Sequence, residues 1–285
     1  MKLLSGHVNK KKIRTILVKL PDKLGDVYNT VMSRIFSQDG EQRQTVAKTA
    51  LTWITYAKER LTADQLMHVI AVDLDPTTAD IDSEDLIDLD ILLSSCVGLV
   101  VFNKEVGTVR LVHYTTQVFL EERFPKRDAS SSMAKTCLTY LVPVGRLCGA
   151  CQRNYPQFAA AIRAYVVRSQ KYKLASYAAN YWVKHALDAG EENLIQDILD
   201  LLSCSTTRTA IEVLVGRVLR YCDIVGFTVL HFLSVYGLPR CCRALLNEDN
   251  RARSSYVFLY ISNLIVENRS HIRLSMQGMP MDKQH

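Results

Sequence analysis

The stretch from Thr62 to Phe119 constrains the fold more than any other part of this sequence. It holds two segments with helical apolar spacing, LTADQLMHVIAV and SEDLIDLDILLSSC, and then two apolar runs, VGLVVF and TVRLVH, on either side of a polar turn. A third helical segment begins at Thr115. Apolar spacing near 3.6 residues predicts helices, and short apolar runs bounded by turn residues predict strands. The stretch therefore predicts helices that carry one small β-hairpin.

The first helix of this stretch has a well-defined start. Thr62 stands before the apolar run and Gln65 follows three residues later, which is the spacing of a capping box. Leu61 and Leu66 flank it as a hydrophobic staple. We predict structural roles for Thr62 and Gln65. The element order of helix, helix, strand, strand and helix is that of a winged helix, which we assign to residues 20–124.

Three further features of this domain are predicted. Ser83 is expected to cap the second helix, with Glu84 and Asp85 next to its N-terminus. Upstream, apolar spacing predicts a helix that ends at Gly40 and another over about residues 41–58. His113, at the end of the second strand, is expected to be a packed histidine rather than a ligand or base.

A polar, proline-led segment, PKRDASSS from Pro125 to Ser132, predicts the main domain boundary. Residues 131–221 read as a helical domain. Its predicted helices cover Met133–Leu141, Phe158–Val167, Lys173–Leu187 with Gly190 as its stop, a segment from Leu194 to Leu202, and Thr207–Tyr221.

The eight cysteines suggest neither disulfides nor a metal site, since most of them fall within apolar helical patterns. Cys148 and Cys151 form a CxxC, but a zinc site needs a second pair of ligands at a standard spacing, and a redox pair needs a strand-to-helix context. We predict no metal, no cofactor and no catalytic residue.

The charge of the chain is unevenly distributed. The net charge is +6, yet residues 1–20 hold six Lys or Arg and no acid, and residues 61–103 hold nine Asp or Glu and no Lys or Arg. A winged helix that binds DNA needs basic side chains on its recognition helix and wing. The candidate helix has Asp64 and no basic residue, so nucleic-acid binding is kept only as the alternative function. The longest apolar run is too short for a membrane helix, and no signal-peptide pattern opens the sequence. We therefore expect a cytoplasmic protein.

Residues 222–250 resemble an ankyrin repeat. The residues that carry the resemblance are Gly226-Phe227-Thr228-Val229-Leu230-His231, then Gly237 and Leu245-Leu246. The resemblance implies structural roles for Thr228 and His231 in the turn before the first helix and for Gly237 after it. Val229 departs from the pattern, which has proline there. One repeat is recognisable, followed by a tail, 251–285, of unassigned structure.

A longer resemblance covers about residues 10–185. The segments KKIRTILVKLPDKLGDVYNTVMSRI, ALTWITYAKERLTADQLMHVIAV, LSSCVGLVVFNKEVGTVRLVHYTTQVFLEE, CLTYL and YAANYWVKHA resemble the region between the NTPase and the ankyrin repeats of fungal NACHT-type signalling proteins. The winged-helix part is similar to the domain named after GPI inositol-deacylase-like proteins. This resemblance implies a regulatory role, while the sequence contains neither a P-loop motif nor the GxSxG of a hydrolase.

The sequence thus predicts a mainly α-helical chain. Its parts are a basic N-terminal segment (1–19), a winged helix with a small β-hairpin, a helical domain and an ankyrin-like hairpin. The predicted function is that of a non-catalytic regulatory and protein-interaction fragment of a NACHT-type protein, lacking its NTPase module. The expected partners are proteins that bind the ankyrin-like and helical regions. Neither a membrane nor an enzymatic activity is expected.

Overall fold

A computed structural model describes residues 25–77, 81–147, 170–215 and 228–248. The chain divides into two compact units, residues 1–129 and 130–285. In the first unit, residues 25–36 are helical and are labelled α1. They are followed by α2 (Glu41–Tyr56), α3 (Ala63–Leu74), α4 (Leu89–Ser95), β1 (Val100–Asn103), β2 (Thr108–Leu111) and α5 (Tyr114–Arg123).

A long helix, α6 (Lys126–Leu147), begins at the end of the first unit and continues in the second. The second unit then contains α7 (Ala175–Ala189), a 3-10 turn (Glu192–Leu194), α8 (Ile195–Ser203), α9 (Ser205–Leu214), α10 (Val229–Tyr236) and α11 (Pro239–Glu248). The prediction of a mainly helical chain with one small antiparallel hairpin is confirmed.

Several predicted features lie outside the described residues. They are the basic segment 1–19, the helix Phe158–Val167, the CxxC of Cys148 and Cys151, Gly226 of the ankyrin-like segment, and the tail 251–285. The division of the chain into the five predicted segments therefore stays a prediction.

The core of the first unit lies between α2, α3 and α4. Trp53, Leu66, Ile70 and Leu92 are fully buried there. Each comes from an apolar stripe that recurs at helical spacing, so burial follows from the sequence pattern. A hydrogen bond of 2.8 Å from the Thr49 hydroxyl to Asp73 further joins α2 to α3.

The hairpin is antiparallel, with Val101 opposite Arg110 and Phe102 opposite Val109. It is extended by a short third segment beside β2. The amide of Val109 donates to the carbonyl of Leu61, and the amide of Ala63 donates to the carbonyl of Gly107. The start of α3 is therefore hydrogen-bonded directly to the β-hairpin.

Helix α4 begins later than the sequence suggests, because Ser83 does not cap it and Asp88 is its N-cap. Aspartate side chains occupy the nearby amides: Asp82 accepts from the amide of Glu84 at 2.7 Å, and Asp85 accepts from the amide of Asp82 at 2.9 Å. Such local bonds compete with helix formation. The acidic segment is a series of tight turns instead.

The segment from Pro125 to Ser132, predicted as the main domain boundary, is helical from Lys126 and forms the first turns of α6. The division between the two compact units falls within it, after Ala129. The carbonyl of Pro125 accepts the amide of Ala129 at 3.0 Å, so the proline precedes the helix without interrupting it. A proline in the first turn costs no hydrogen bond, since the amides there have no partner within the helix. The polar residues of this segment therefore mark the exposed start of a helix.

The second unit is built around α7, whose Tyr177, Trp182 and His185 are fully buried. The Tyr177 hydroxyl lies 2.9 Å from His185 Nε2. Gly190 ends α7 in the left-handed conformation, with φ of 95°, as the sequence predicts. Helix α6 approaches α9 closely at Gly145, where any side chain would meet the backbone of Thr207.

Candidate protein-interaction surface

Two of the predicted structural residues start α3. The Thr62 hydroxyl accepts from the Gln65 amide at 3.2 Å, and the Gln65 side chain accepts from the Thr62 amide at 2.9 Å. Both amides would otherwise lack a partner in the first turn. The pair fixes the point at which the chain leaves the strand beside β2 and enters α3.

The other predicted residues surround α10 in the second unit. The amide of Thr228 donates to His231 Nδ1 at 3.3 Å, and the Thr228 hydroxyl lies 2.8 Å from the same nitrogen. Gly237 ends α10 with φ of 70°, a left-handed conformation that glycine adopts without strain. These three residues shape the hairpin of α10 and α11. They belong to a different unit from Thr62 and Gln65.

The N-terminus of α11 has a partner that the sequence does not reveal. The Glu191 carboxylate accepts the amide hydrogens of Arg240 and Cys241 at 3.2 and 3.3 Å. Glu191 is only 4% exposed, and Arg240 also forms an ion pair with Glu192. A carboxylate at a helix N-terminus is favoured by the unpaired amides and by the helix dipole. Burial, with a further contribution from Glu191, raises the pKa of the Cys241 thiol to about 12.

A second cysteine has the opposite environment. Cys204 lies between α8 and α9 and is partly exposed, with its sulfur 3.0 Å from the Thr206 hydroxyl. Hydrogen bonds from Thr206 and Thr207 lower the pKa of this thiol to about 7. The Arg208 guanidinium, which donates to the carbonyls of Leu202 and Ser203, lies near enough to interact with it.

An apolar surface lies where β2 passes into α5. Val112, Tyr114 and Val118 are 47%, 71% and 51% exposed, and we call them the α5 patch. Tyr114 and Val118 are four residues apart on α5, so they share one face of the helix. Val112 lies two residues before Tyr114. Exposed apolar side chains near one another are candidates for a contact with another molecule.

The α5 patch is backed by contacts with α1. The Tyr28 hydroxyl lies 2.7 Å from the Thr115 hydroxyl and accepts from that of Thr116 at 3.1 Å, while its ring packs on Phe119 at 5.1 Å. These contacts hold α5 against α1.

His113 has a role that differs from the prediction. It is exposed rather than packed, and its Nδ1 accepts from the amide of Thr115 at 3.2 Å as the N-cap of α5. Its ring lies 4.7 Å from that of Tyr114. The usual N-cap residues are Ser, Thr, Asp and Asn, so the sequence contained no local signal for a histidine cap.

The charge of the winged-helix region does not favour nucleic acid. Helix α3 contains no Lys or Arg, and the wing offers Lys104 and Arg110 with Glu105 beside them. The turns before α4 present the exposed acids Asp82, Glu84, Asp85 and Asp88. Phosphate binding needs several cations on one face.

The described residues contain no group of three or more His, Cys, Asp or Glu side chains that could hold a metal ion. Among those same residues, no helix is long and apolar enough to cross a membrane.

Comparison with known proteins assigns part of the chain. Residues 36–140 match the family model of the GPI inositol-deacylase winged helix domain. The chain is also similar to azaphilone pigments biosynthesis cluster protein L of Monascus ruber, at 23% identity over 264 residues. That alignment covers 85% of this chain and 47% of the relative, so the chain spans about half the length of this curated protein. No solved structure gives a significant match.

The family match corrects one prediction. We expected no connection to enzymatic activity beyond a shared domain name, and that expectation is contradicted, because the matched family belongs to an enzyme, GPI inositol-deacylase. The matched residues are those of its winged helix domain.

Proposed function

We propose that this chain is a regulatory, protein-docking region of a larger signalling protein, with the α5 patch as a main contact surface. The observation that carries the proposal is the exposure of Val112, Tyr114 and Val118 on a winged-helix unit in which α5 packs against Tyr28 of α1. Such a surface suits a protein partner, since tyrosine is enriched among the residues that dominate the binding energy of protein interfaces.

Two further observations support the proposal. Residues 36–140 match the family model of a winged helix domain. The acids before α4 and the lack of basic residues on α3 disfavour the nucleic-acid alternative. We propose a NACHT-type signalling context in the cytoplasm, on the resemblance of residues 10–185 to the region that follows the NTPase.

The ankyrin-like hairpin is proposed as a second contact region. Its support is the geometry of Thr228, His231 and Gly237, which folds α10 and α11 into a helical pair. Helix α11 leaves Arg243 and Asn247 exposed on its outer side. Both contact regions would contribute to one regulatory assembly.

The test is affinity capture of the tagged full chain from its native cells, followed by quantitative mass spectrometry. The variant Tyr114→Ser/Val118→Ser should lose a defined set of proteins at least about tenfold, because two apolar anchors are removed. The matched control is Leu187→Ser, which removes an apolar side chain of similar exposure, 46%, from the second unit.

An unchanged protein set in the double variant would contradict the α5 patch as the contact surface. Recovery of duplex DNA by the wild-type chain at about 150 mM salt would favour the nucleic-acid alternative instead.

A further inference from the structure

We infer that a groove between α8 and α11 binds a short acidic and apolar segment of a partner protein. The inference rests on the proposed docking function and specifies the ligand of the second contact region, the ankyrin-like hairpin. All residues that define the groove belong to the second unit, whereas the α5 patch belongs to the first.

The groove has a volume of about 640 Å³, which lies within the range of ligand clefts in proteins. It is lined by Ile195 from the start of α8 and, from α11, by Pro239, Arg240, Arg243, Ala244 and Asn247. Ile195 and Ala244 are half-buried, and the other four side chains are exposed. The groove thus has an apolar base and an exposed rim that is largely polar.

Polar contacts join the two helices at one end of the groove. The Glu191 carboxylate, in the turn before α8, accepts the amides of Arg240 and Cys241 in the first turn of α11. The Arg240 guanidinium forms an ion pair with Glu192. These contacts place the start of α11 beside the start of α8, which is where the groove lies.

The charge of the lining favours a negatively charged ligand. Among the described residues, the lining contains two arginines and no acidic side chain. Glu192 offsets the charge of Arg240, so Arg243 supplies the charge available to a ligand. Arg243 and Asn247 are four residues apart and lie on one face of α11. Their guanidinium and amide N–H groups match the oxygens of a carboxylate.

The base of the groove adds an apolar requirement. An exposed ion pair contributes little by itself in water, so a carboxylate that met only Arg243 would bind weakly. An apolar side chain of the ligand that covers Ile195, Pro239 and Ala244 would remove apolar surface from water. The ligand therefore needs a carboxylate next to an apolar side chain.

The length of the groove sets the length of the segment. Pro239 and Asn247, at its two ends, are separated by about 12 Å along the helix, at a rise of about 1.5 Å per residue. An extended chain rises about 3.3 Å per residue, so about four residues span this distance. The occupant is thus an internal segment of about four extended residues in which Asp or Glu adjoins an apolar side chain.

The test selects peptides on the full chain from a random ten-residue display library in which both peptide ends are linked. Enriched peptides should carry Asp or Glu next to an apolar residue. The decisive variant is Arg243→Gln, which removes the charge and keeps a polar side chain that suits a helix. Its matched control is Arg34→Gln, the same change at an exposed arginine of the first unit.

Synthetic copies of the selected peptides, with both ends capped, should bind Arg243→Gln at least about tenfold more weakly than the wild type, since charge-assisted hydrogen bonds are lost. Binding to Arg34→Gln should stay within about twofold of the wild type. Fluorescence anisotropy measures both affinities. An exchange of charges tests direct contact: a peptide with Lys in place of its acid should bind Arg243→Glu more tightly than it binds the wild type.

Equal binding to the wild type and to Arg243→Gln would overturn the groove site. Binding that requires a free C-terminal carboxylate, tested with uncapped peptides, would overturn the internal segment as its ligand. Peptides that lose affinity only for Tyr114→Ser/Val118→Ser would also overturn the groove site, and would leave the docking function of the α5 patch intact. A library that yields no binder to the wild-type chain would count against the groove site too.

Discussion

Glu191 and Cys241 are joined by a hydrogen bond from the Cys241 amide to the Glu191 carboxylate, across 50 positions of sequence. The same oxygen accepts the amide of Arg240. The bond connects the turn after α7 to the first turn of α11. This buried carboxylate therefore contributes to holding the ankyrin-like hairpin in place within the second unit.

Replacement of Glu191 by Ala should lower the free energy of unfolding by about 1–3 kcal/mol, because two amides lose their acceptor in a buried position. Glu191→Gln keeps a carbonyl acceptor and should cost less than the Ala variant. Urea unfolding followed by circular dichroism measures both. If Gln and Ala have the same effect, the hydrogen bonds to α11 are not what Glu191 contributes.

The capping box of α3 should contribute on a similar scale. Thr62→Ala removes the acceptor for the Gln65 amide and is expected to cost about 1 kcal/mol. Thr62→Ser keeps a hydroxyl and serves as the control. Thermal unfolding should therefore show a clear loss for Ala and a small change for Ser, and equal losses would indicate that the Thr62 methyl group, not its hydroxyl, matters.

The close approach of α6 and α9 gives a third prediction. A Cβ at position 145 would lie 2.6 Å from the Thr207 Cα, and backbone cannot move aside as a flexible side chain can. Gly145→Ala should destabilise the chain by about 1–3 kcal/mol. Gly25→Ala is the control, since nothing lies within 4 Å of its Cβ position and alanine favours a helix. Similar unfolding midpoints for the two variants would contradict this packing.

Cys204 should be the most reactive of the described cysteines. Its pKa is lowered to about 7 from the ordinary value of 9.0, so about half of it is thiolate at neutral pH. Burial raises the pKa of Cys96 and Cys241 to about 12, which keeps those thiols protonated. Iodoacetamide labelling across pH 5–9, read by mass spectrometry, should modify Cys204 first with a midpoint near pH 7.

A matched variant tests the cause of that shift. The hydrogen bond from Thr206 is the largest contribution that lowers the pKa of Cys204. Thr206→Val removes the donor and keeps the shape, so the labelling midpoint should move to higher pH. A midpoint that does not move would assign the low pKa to another group.

The sequence predicted the features that depend on neighbouring residues. The Thr62 cap needs only the spacing to Gln65, and the stop of α7 needs only Gly190. The Glu191 bond was missed because its partners are 49 and 50 positions away, and no local pattern marks them. The prediction that Ser83 caps α4 was wrong, because the hydrogen bonds from the aspartate side chains depend on a local backbone geometry that the sequence does not specify.

The α5 patch was only partly visible in the sequence. Alternation along TVRLVH places Val109 and Leu111 on the inner side of the strand, so Val112 falls on the outer side as an apolar exception. An apolar residue at this outward position was the signal for the α5 patch that the sequence contained. The exposure of Tyr114 and Val118 depends on how α5 packs against α1 through Tyr28, which spacing in the sequence does not specify.

The most direct test of the docking account is photo-crosslinking at the α5 patch. The full chain would carry p-benzoylphenylalanine at position 114 or, as the control, at position 187, and would be irradiated in its native cells. The account predicts a discrete crosslinked protein partner from position 114 that is absent when Val118 is also changed to Ser. The account would be contradicted if both positions crosslinked the same proteins in equal yield, or if position 114 gave no crosslink.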